Sequence, residues 1–288
     1  MADYKTSLNK IVNANYSKLT SKGRLLADFV LSSPDKAVFM TTRKLGAEVG
    51  VSEATVIRFV HQLDYQSYPS FIKALRELID TELTLIERNR LATQMVRSED
   101  GELERSVNQD IENIRKMSKA LDLQEVNKIK KILIKAKKVH IIGSRLSYAP
   151  AHYMGWTLAK IRKNVSIFKG SDKTTYDKIL FSSQQAVAVI IATSRYPNEL
   201  IEIGKFAKRN KLKLIVLTDS SSCPLNQFCD HLLITPLKTI PFLGNPASLI
   251  SLISYLVHSI AAEMGEKIKK HQEKLEKLYK ENNILFKY

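Results

Sequence analysis

Two short runs carry the side chains best suited to holding a small charged molecule. Gly143-Ser144-Arg145-Leu146-Ser147 and Thr193-Ser194-Arg195-Tyr196-Pro197-Asn198 each combine hydroxyls with one arginine. Each follows an apolar run rich in β-branched residues and leads into a helical pattern, so both open onto helix N-termini. There the free N–H groups and the helix dipole favour anions. A guanidinium adds a planar fork of donors that matches phosphate or carboxylate. The expected contacts are Ser144, Arg145, Ser147, Thr193, Ser194, Arg195 and Tyr196. Surface ion pairing or subunit packing is the plainer use of the two arginines. Glu199 could act as a base, but in a helix's first turn it equally serves the dipole. Asp219 with Ser220, Ser221 and Ser222 either lines the same mouth or turns the chain. His140, His152 and His231 fall within or beside core patterns and read as structural. No Ser/His/Asp spacing or metal-ligand cluster stands out, so the expectation is no catalytic residue, no metal and no cofactor.

A second constellation lies between Thr42 and Leu63. Two short helices meeting at a steep angle need a small residue where they touch, supplied by Gly46. They also need one tolerant of positive φ at the turn, supplied by Gly50. Ser52 suits the N-cap of the second helix. On a 100° wheel Val56, Phe59, Val60 and Leu63 share one face, with Ala54, Arg58 and His61 opposite and Thr55 and Gln62 beside them. Such a face can enter a DNA major groove: Ala54 against a thymine methyl, Arg58 on guanine or phosphate, Thr55 on either. Thr42, Arg43 and Lys44, opening the first helix, are candidate phosphate contacts. The expected DNA-binding set is Thr42, Arg43, Lys44, Ser52, Ala54, Thr55, Arg58, His61 and Gln62. An ordinary helical hairpin with a solvated face is the alternative.

These residues need positioning elements of two kinds. From Leu19 to about Asp80 apolar residues recur at helical spacing, including a stripe of Leu25, Leu26, Phe29 and Val30 ended at Pro34. Residues 81–126 read as charged connecting helices. After Lys138 the texture changes to short runs, Val139–Ile142, Val165–Phe168, Val187–Ile191, Leu214–Leu217 and His231–Ile234. Helical patterns at Tyr148–Ile161, Asp172–Phe181, Glu199–Asn210 and Ala247–Met264 separate and follow them. Strands apolar on both faces with crossover helices indicate a parallel sheet covered on both sides. The tail from Glu266 to Tyr288 reads as an amphipathic helix with Ile268, Leu275 and Leu278 on one stripe. The resulting division is 1–80, 81–126, 127–265 and 266–288.

The 288 residues carry a formal charge of +16, so an acidic partner is plausible. Yet residues 1–80 hold 11 Lys/Arg against 8 Asp/Glu, whereas residues 141–265 hold 14 against 7. The excess does not sit where the DNA face is expected. Two cysteines, Cys223 and Cys229, cannot form a disulfide framework or a four-ligand zinc site alone. The start has no apolar signal core. The uncharged stretch between Lys238 and Glu263 is too short and polar in its helical part for a bilayer span. A cytoplasmic protein with no membrane partner is expected.

Phe39-Met40-Thr41, Val51-Ser52-Glu53-Ala54-Thr55-Val56-Ile57-Arg58-Phe59, Leu63-Asp64-Tyr65 and Tyr68-Pro69-Ser70-Phe71 together resemble the N-terminal domain of RpiR/MurR-type regulators. The resemblance extends over nearly the whole chain. It implies an all-α helix-turn-helix domain followed by a SIS (sugar isomerase) domain, an α/β three-layer sandwich with a five-stranded parallel sheet in flavodoxin-like order 2-1-3-4-5. It further implies a regulator of transcription, a homodimer or homotetramer, that binds a double-stranded DNA operator and a phosphorylated sugar or related anionic metabolite. The effector loops depart from the usual SIS pattern of Ser-x-Ser-Gly-x-Thr after the third strand. Ser194 matches the second serine, while Arg195 stands where the glycine would be, Pro197 where the threonine would be, and Ala192 at the first serine. Arg145 likewise replaces a common glycine. A SIS-type sugar-phosphate isomerase or aldolase with an accessory helical domain is the alternative function.

Overall fold

The computed structural model describes residues 8–72, 74–75, 102–183, 185–237 and 245–286. The chain divides into two compact units, Met1–Ser98 and Glu99–Tyr288. The connecting helices expected between 81 and 101 lie outside the described residues.

The first unit contains α1 (Leu8–Asn15), α2 (Ser21–Ser32), a single turn α3 (Pro34–Ala37), α4 (Thr42–Val49) and α5 (Glu53–Gln62). Hydroxyl caps start three of them. Thr20 accepts from the Gly23 amide, Thr41 from Lys44 and Ser52 from Thr55, satisfying donors that a helix start leaves free. Leu26, Val30, Leu45, Val56, Phe59, Leu63 and Phe71 fill the core. Phe71 meets Phe59 and Tyr65 edge-on at 5.9 and 5.7 Å. Tyr68 donates to the Met40 carbonyl at 2.9 Å, and burial pushes its hydroxyl up to about 12. Of the stripe expected in α2, Leu26 and Val30 are buried and Phe29 partly so, whereas Leu25 is 52 % exposed. One helical turn offers the core only a limited arc, and Leu25 falls outside it.

Both glycines expected at the α4–α5 junction are required there. A Cβ on Gly46 would lie 2.7 Å from the Val51 carbonyl oxygen. Gly50 adopts φ 74, ψ 33, the left-handed conformation that ends α4.

The second unit runs α6 (Glu102–Ala120), α7 (Leu123–Lys135), β1 (Lys138–Gly143), α8 (Tyr148–Ala159), β2 (Val165–Lys169), α9 (Thr174–Leu180), β3 (Ala186–Ala192), α10 (Asn198–Arg209), β4 (Lys213–Thr218), β5 (His231–Ile234), α11 (Ala247–Met264) and α12 (Lys269–Glu281). The five strands form one parallel sheet in the order β2-β1-β3-β4-β5. Alternation of side chains splits its central strands between two cores. Val139, Ile141, Val187, Val189, Ile191, Ile215 and Leu217 pack with α7, α8 and α11. Ile142, Ala188, Ile190, Leu214 and Val216 pack with α9 and α10. The three layers follow from that division.

The continuous helical run 247–281 contains a window apolar enough to cross a membrane by length and composition. Its Leu249, Leu252, Ile253, Leu256 and Ile260 are fully buried in the first of those cores, as a core helix requires. In α12 the half-buried positions are His271, Leu275 and Tyr279; Leu278, expected on this stripe, is 48 % exposed. The stripe follows helical spacing from Leu275 to Tyr279, four residues on, and Leu278 stands beside it.

His140, in β1, is completely buried. Its Nε2 lies 2.7 Å from Ser182 Oγ, and among the described residues its Nδ1 has no partner. Burial, with the charge of Lys138, holds the imidazole down to about 4. The unfolded chain therefore binds a proton between about 6.5 and 4 that the folded unit refuses. Stability is full above about 6.5 and falls with pH across that window, by roughly 2–3 kcal/mol in the limit. Urea unfolding at stepped pH should show this loss, and His140→Gln should flatten it. In the first unit, Gly46→Val should lower stability by about 1–3 kcal/mol through overpacking against backbone, read as a fall in the denaturation midpoint.

Candidate functional site

In the second unit the site arises where the chain leaves neighbouring strands in opposite directions. After β1 it rises into α8 on one face of the sheet; after β3 it rises into α10 on the other. The two loops part, and a crevice opens beyond the carboxyl ends of the strands. Arg145, Arg195, Tyr196, Pro197, Asn198 and Glu199 line a cleft of about 320 Å³ there. A larger hollow, about 650 Å³, is walled by side chains of α12 alone, from Lys269 to Glu281, and encloses nothing.

Buried hydroxyls tie the two loops together. Ser147 Oγ lies 3.0 Å from Thr193 Oγ1 and accepts from the Thr193 amide at 3.2 Å. Ser144 donates to Glu199 Oε1 at 2.6 Å. Ser144, Ser147 and Thr193, all expected at the ligand, are each less than 10 % exposed and bind the loops to one another. Hydroxyls this close to the strand ends sit inside the packed layer, where a partner within the protein replaces water. Ser194 is held likewise: its amide donates to Asp219 Oδ2 at 2.9 Å, and its hydroxyl bonds the same oxygen. Tyr196 donates to Asp219 Oδ1 at 3.2 Å. Burial, reinforced by the Asp219 charge, pushes the Tyr196 hydroxyl well up, so it stays protonated. Asp219 is thus the anchor of the second loop, a role that sequence left open between lining the mouth and turning the chain.

What remains free to meet a ligand is the pair of guanidinium groups. Arg145 and Arg195 are both exposed, and both have left-handed backbones, with φ 52 and φ 64. A side chain there costs about 1 kcal/mol relative to an ordinary conformation. Glu199 completes the wall. The Ser144 hydroxyl and then its own amide hold its carboxyl below the ordinary range, with Arg145 adding to this and partial burial opposing it. The cleft therefore presents two fixed positive charges and one carboxylate. It can grip a doubly charged anion and accept a hydrogen bond from a neighbouring donor. Among the described residues no cluster of His, Cys, Asp and Glu could hold a metal ion.

In the first unit, α5 turns Val56, Phe59 and Val60 into the core and leaves Ala54, Arg58, His61 and Gln62 exposed, as the wheel predicts. Ile57, 43 % exposed, belongs to the same outward arc. Its position on the wheel, 60° from Ala54 and just beyond His61, was the available signal, obscured by its apolar character. Thr55, beside this face on the wheel, is only 9 % exposed, with its hydroxyl 2.8 Å from Ser52 Oγ and 3.5 Å from Arg58 Nη2. One turn from the N-cap, its hydroxyl lies beside the cap and within reach of the Arg58 guanidinium. Ser52 remains exposed while capping α5. The Thr42 hydroxyl donates to the Glu53 carboxylate, and Arg43 and Lys44 are exposed at the start of α4. His61 Nδ1 lies 3.1 Å from the Tyr65 carbonyl, fixing the ring at the far end of the helix.

Two family models match the chain: a helix-turn-helix domain of the rpiR family over residues 6–82 and a SIS domain over residues 132–264. The HTH-type transcriptional regulator HexR of Escherichia coli K12 is 27% identical over 216 residues, covering 74% of this chain and 72% of its own. An uncharacterized HTH-type transcriptional regulator of Haemophilus influenzae is 25% identical and covers 81% of both chains. Among solved structures, the Vibrio vulnificus NanR protein complexed with ManNAc-6P is 20% identical, covers 95% of this chain and 98% of that one, and has a TM-score of 0.58. The sugar isomerase domain of an RpiR transcription factor from Sphaerobacter thermophilus is 18% identical, covers 62% of this chain and 99% of that one, and has a TM-score of 0.60. These two establish the shared fold.

The left-handed arginines give a direct test. Arg195→Gly should leave stability within about 1 kcal/mol of the parent, because relief of backbone strain offsets the added freedom of the unfolded chain. Arg195→Val should lose about 1–2 kcal/mol, since a β-branched residue tolerates φ near 64 poorly. Thermal unfolding of the two variants side by side measures the difference.

Proposed function

The chain belongs to the RpiR family of helix-turn-helix proteins with a SIS domain, and from that premise we propose that it is a DNA-binding transcriptional regulator whose cleft senses a phosphorylated sugar or a related anionic metabolite. The observation that carries the reading is the solvent-facing row Ala54, Ile57, Arg58 and His61, on a helix whose opposite side is locked into a core. A rigid helix with an open face containing a small residue, an aliphatic one and an arginine fits major-groove readout. Arg58 and Gln62 reach base edges or phosphate, Ala54 and Ile57 approach thymine methyls, and His61 borders them. Thr42, Arg43, Lys44 and Ser52 flank the groove near the backbone. In the cleft, Arg145, Arg195 and Tyr196 face the metabolite, with Ser144, Ser147, Thr193 and Ser194 shaping the loops that carry them. The NanR structure solved with ManNAc-6P supports a phosphorylated sugar as the class of ligand. The reading keeps finer divisions at 80, 126 and 265, close to the bounds of the two matching family models, and a homodimer or homotetramer whose two-fold symmetry would set the spacing of operator half-sites.

The isomerase alternative needs Glu199 as a base. A carboxylate already stabilised by Ser144 and its own amide is a weaker base than a free one, so the same bonds that shape the cleft disfavour that chemistry.

On duplexes from the region preceding its own gene, binding should weaken steeply with salt, and Arg58→Ala should cost about 1–3 kcal/mol of discrimination between preferred and random sequence. Fluorescence anisotropy measures both. In thermal-shift titrations, phosphorylated sugars should stabilise the protein where their unphosphorylated counterparts do not. Arg145→Ala and Arg195→Ala should abolish that difference; a shift that survives both substitutions places the anion elsewhere.

A further inference from the structure

The basic excess of the second unit is concentrated opposite the cleft. In a parallel sheet every αβ connection arrives at the amino edge of the strands, and three of these connections are strongly basic. Residues 135–138, 160–163 and 208–213 together hold ten Lys or Arg and no Asp or Glu. Hydrogen bonds from the Lys137 amide to the Gln185 carbonyl, and from the Val139 amide to the Asn164 carbonyl, hold the first two connections side by side at that edge. The register pairs Lys213 with Val187, beside Lys138 opposite Ala186, and places the third connection two strands along.

Local structure accounts for part of this charge. Arg162 caps α7 by donating to the carbonyls of Leu133 and Ala136, Lys160 stacks on Trp156 and Tyr279, and Lys208 pairs with Asp230 at 2.7 Å. Cations in a helix's last turn also answer the dipole. Neither explanation reaches Lys137, Lys163, Lys211 and Lys213, which lie past the helix ends. All four are exposed, and among the described residues none forms an ion pair. Like charges at such spacing repel unless something anionic is present.

We propose that this amino edge of the sheet is a second, sequence-independent docking surface for the phosphate backbone of double-stranded DNA. Lysines act as point charges, which suits phosphate and not base edges or a protein hot spot. The helix-turn-helix region adds a smaller excess, with 11 Lys/Arg against 8 Asp/Glu over residues 1–80. The assignment rests on the protein being a DNA binder, but it concerns a surface far from α5 in sequence and is separable by experiment.

The test uses the full chain and a duplex of random sequence, about four helical turns long. Wild type, Arg58→Ala, and the quadruple variant Lys137→Gln, Lys163→Gln, Lys211→Gln, Lys213→Gln are titrated from about 50 to 200 mM salt. The quadruple variant should lower the slope of log K against log salt by about 2–4, near 0.9 for each phosphate that the protein no longer neutralises. Lysine-to-arginine replacements at the same sites should restore it. Arg58→Ala should keep a slope within about 1 of wild type; failure of the recognition-helix reading appears separately, when the same variant is titrated on a duplex from the region preceding the protein's own gene and still prefers it to the random one as wild type does. Circular dichroism establishes that the glutamine variant is folded. An unchanged slope overturns the proposal. So does loss of binding to phosphatidylserine vesicles or to polyglutamate with DNA affinity intact, which would reassign the edge to a membrane or an acidic protein.

Discussion

The cleft exists because two loops that diverge are nevertheless tied. Ser147 and Thr193 share buried hydroxyl and amide bonds, and Ser144 reaches across to Glu199. Parallel neighbouring strands bring the loops within reach, and opposite helix directions would otherwise let them splay. The Ser147–Thr193 bonds are made in a layer closed to water, where leaving a polar group unpaired is costly, and the Ser144–Glu199 bond is made at the edge of the cleft. Asp219 then pins Ser194 and Tyr196 from the next strand. Only with both loops immobilised do Arg145 and Arg195 project from defined points into a common mouth.

The α5 helix obeys a similar logic with different means. Its inner side is fixed by Phe59 and Val56, its start by Ser52, and its approach to α4 by the missing side chain at Gly46. Thr55, drawn to the cap, shows that the polar residues of a helix are not all left open to solvent. Its hydroxyl lies against the capping Ser52 hydroxyl and within reach of the Arg58 guanidinium, while Arg58, His61 and Gln62 further along face outward.

Much of this is legible in the sequence. Five apolar runs with crossover helices imply the parallel sheet, and each strand differs from its expected span by at most one residue at either end, because burial on both faces gives a continuous signal. The spacing of Gly46 and Gly50 locates the helix pair for a steric reason that holds in the structure. The positions of the loop arginines are legible as well. The roles of the loop hydroxyls are not, since a serine that ties two loops and one that touches a ligand have the same sequence signature. Asp219 is ambiguous for the same reason, its partners lying 23 and 25 residues away. Leu25 and Leu278 show the limit of periodicity, which gives the spacing of an apolar stripe but not how wide an arc the core will accept.

The left-handed backbones at Arg145 and Arg195 bear on how such a receptor diversifies. Each loop already has the conformation that a glycine would adopt, so exchanging glycine and arginine at these points changes the chemistry of the mouth without rebuilding its frame. A lineage can therefore add or remove a positive charge at either loop by a single replacement, beside a Glu199 carboxylate that stays in place. The sheet, the ties and the anchoring aspartate would be inherited unaltered, and selectivity would evolve at two codons while the architecture stands still.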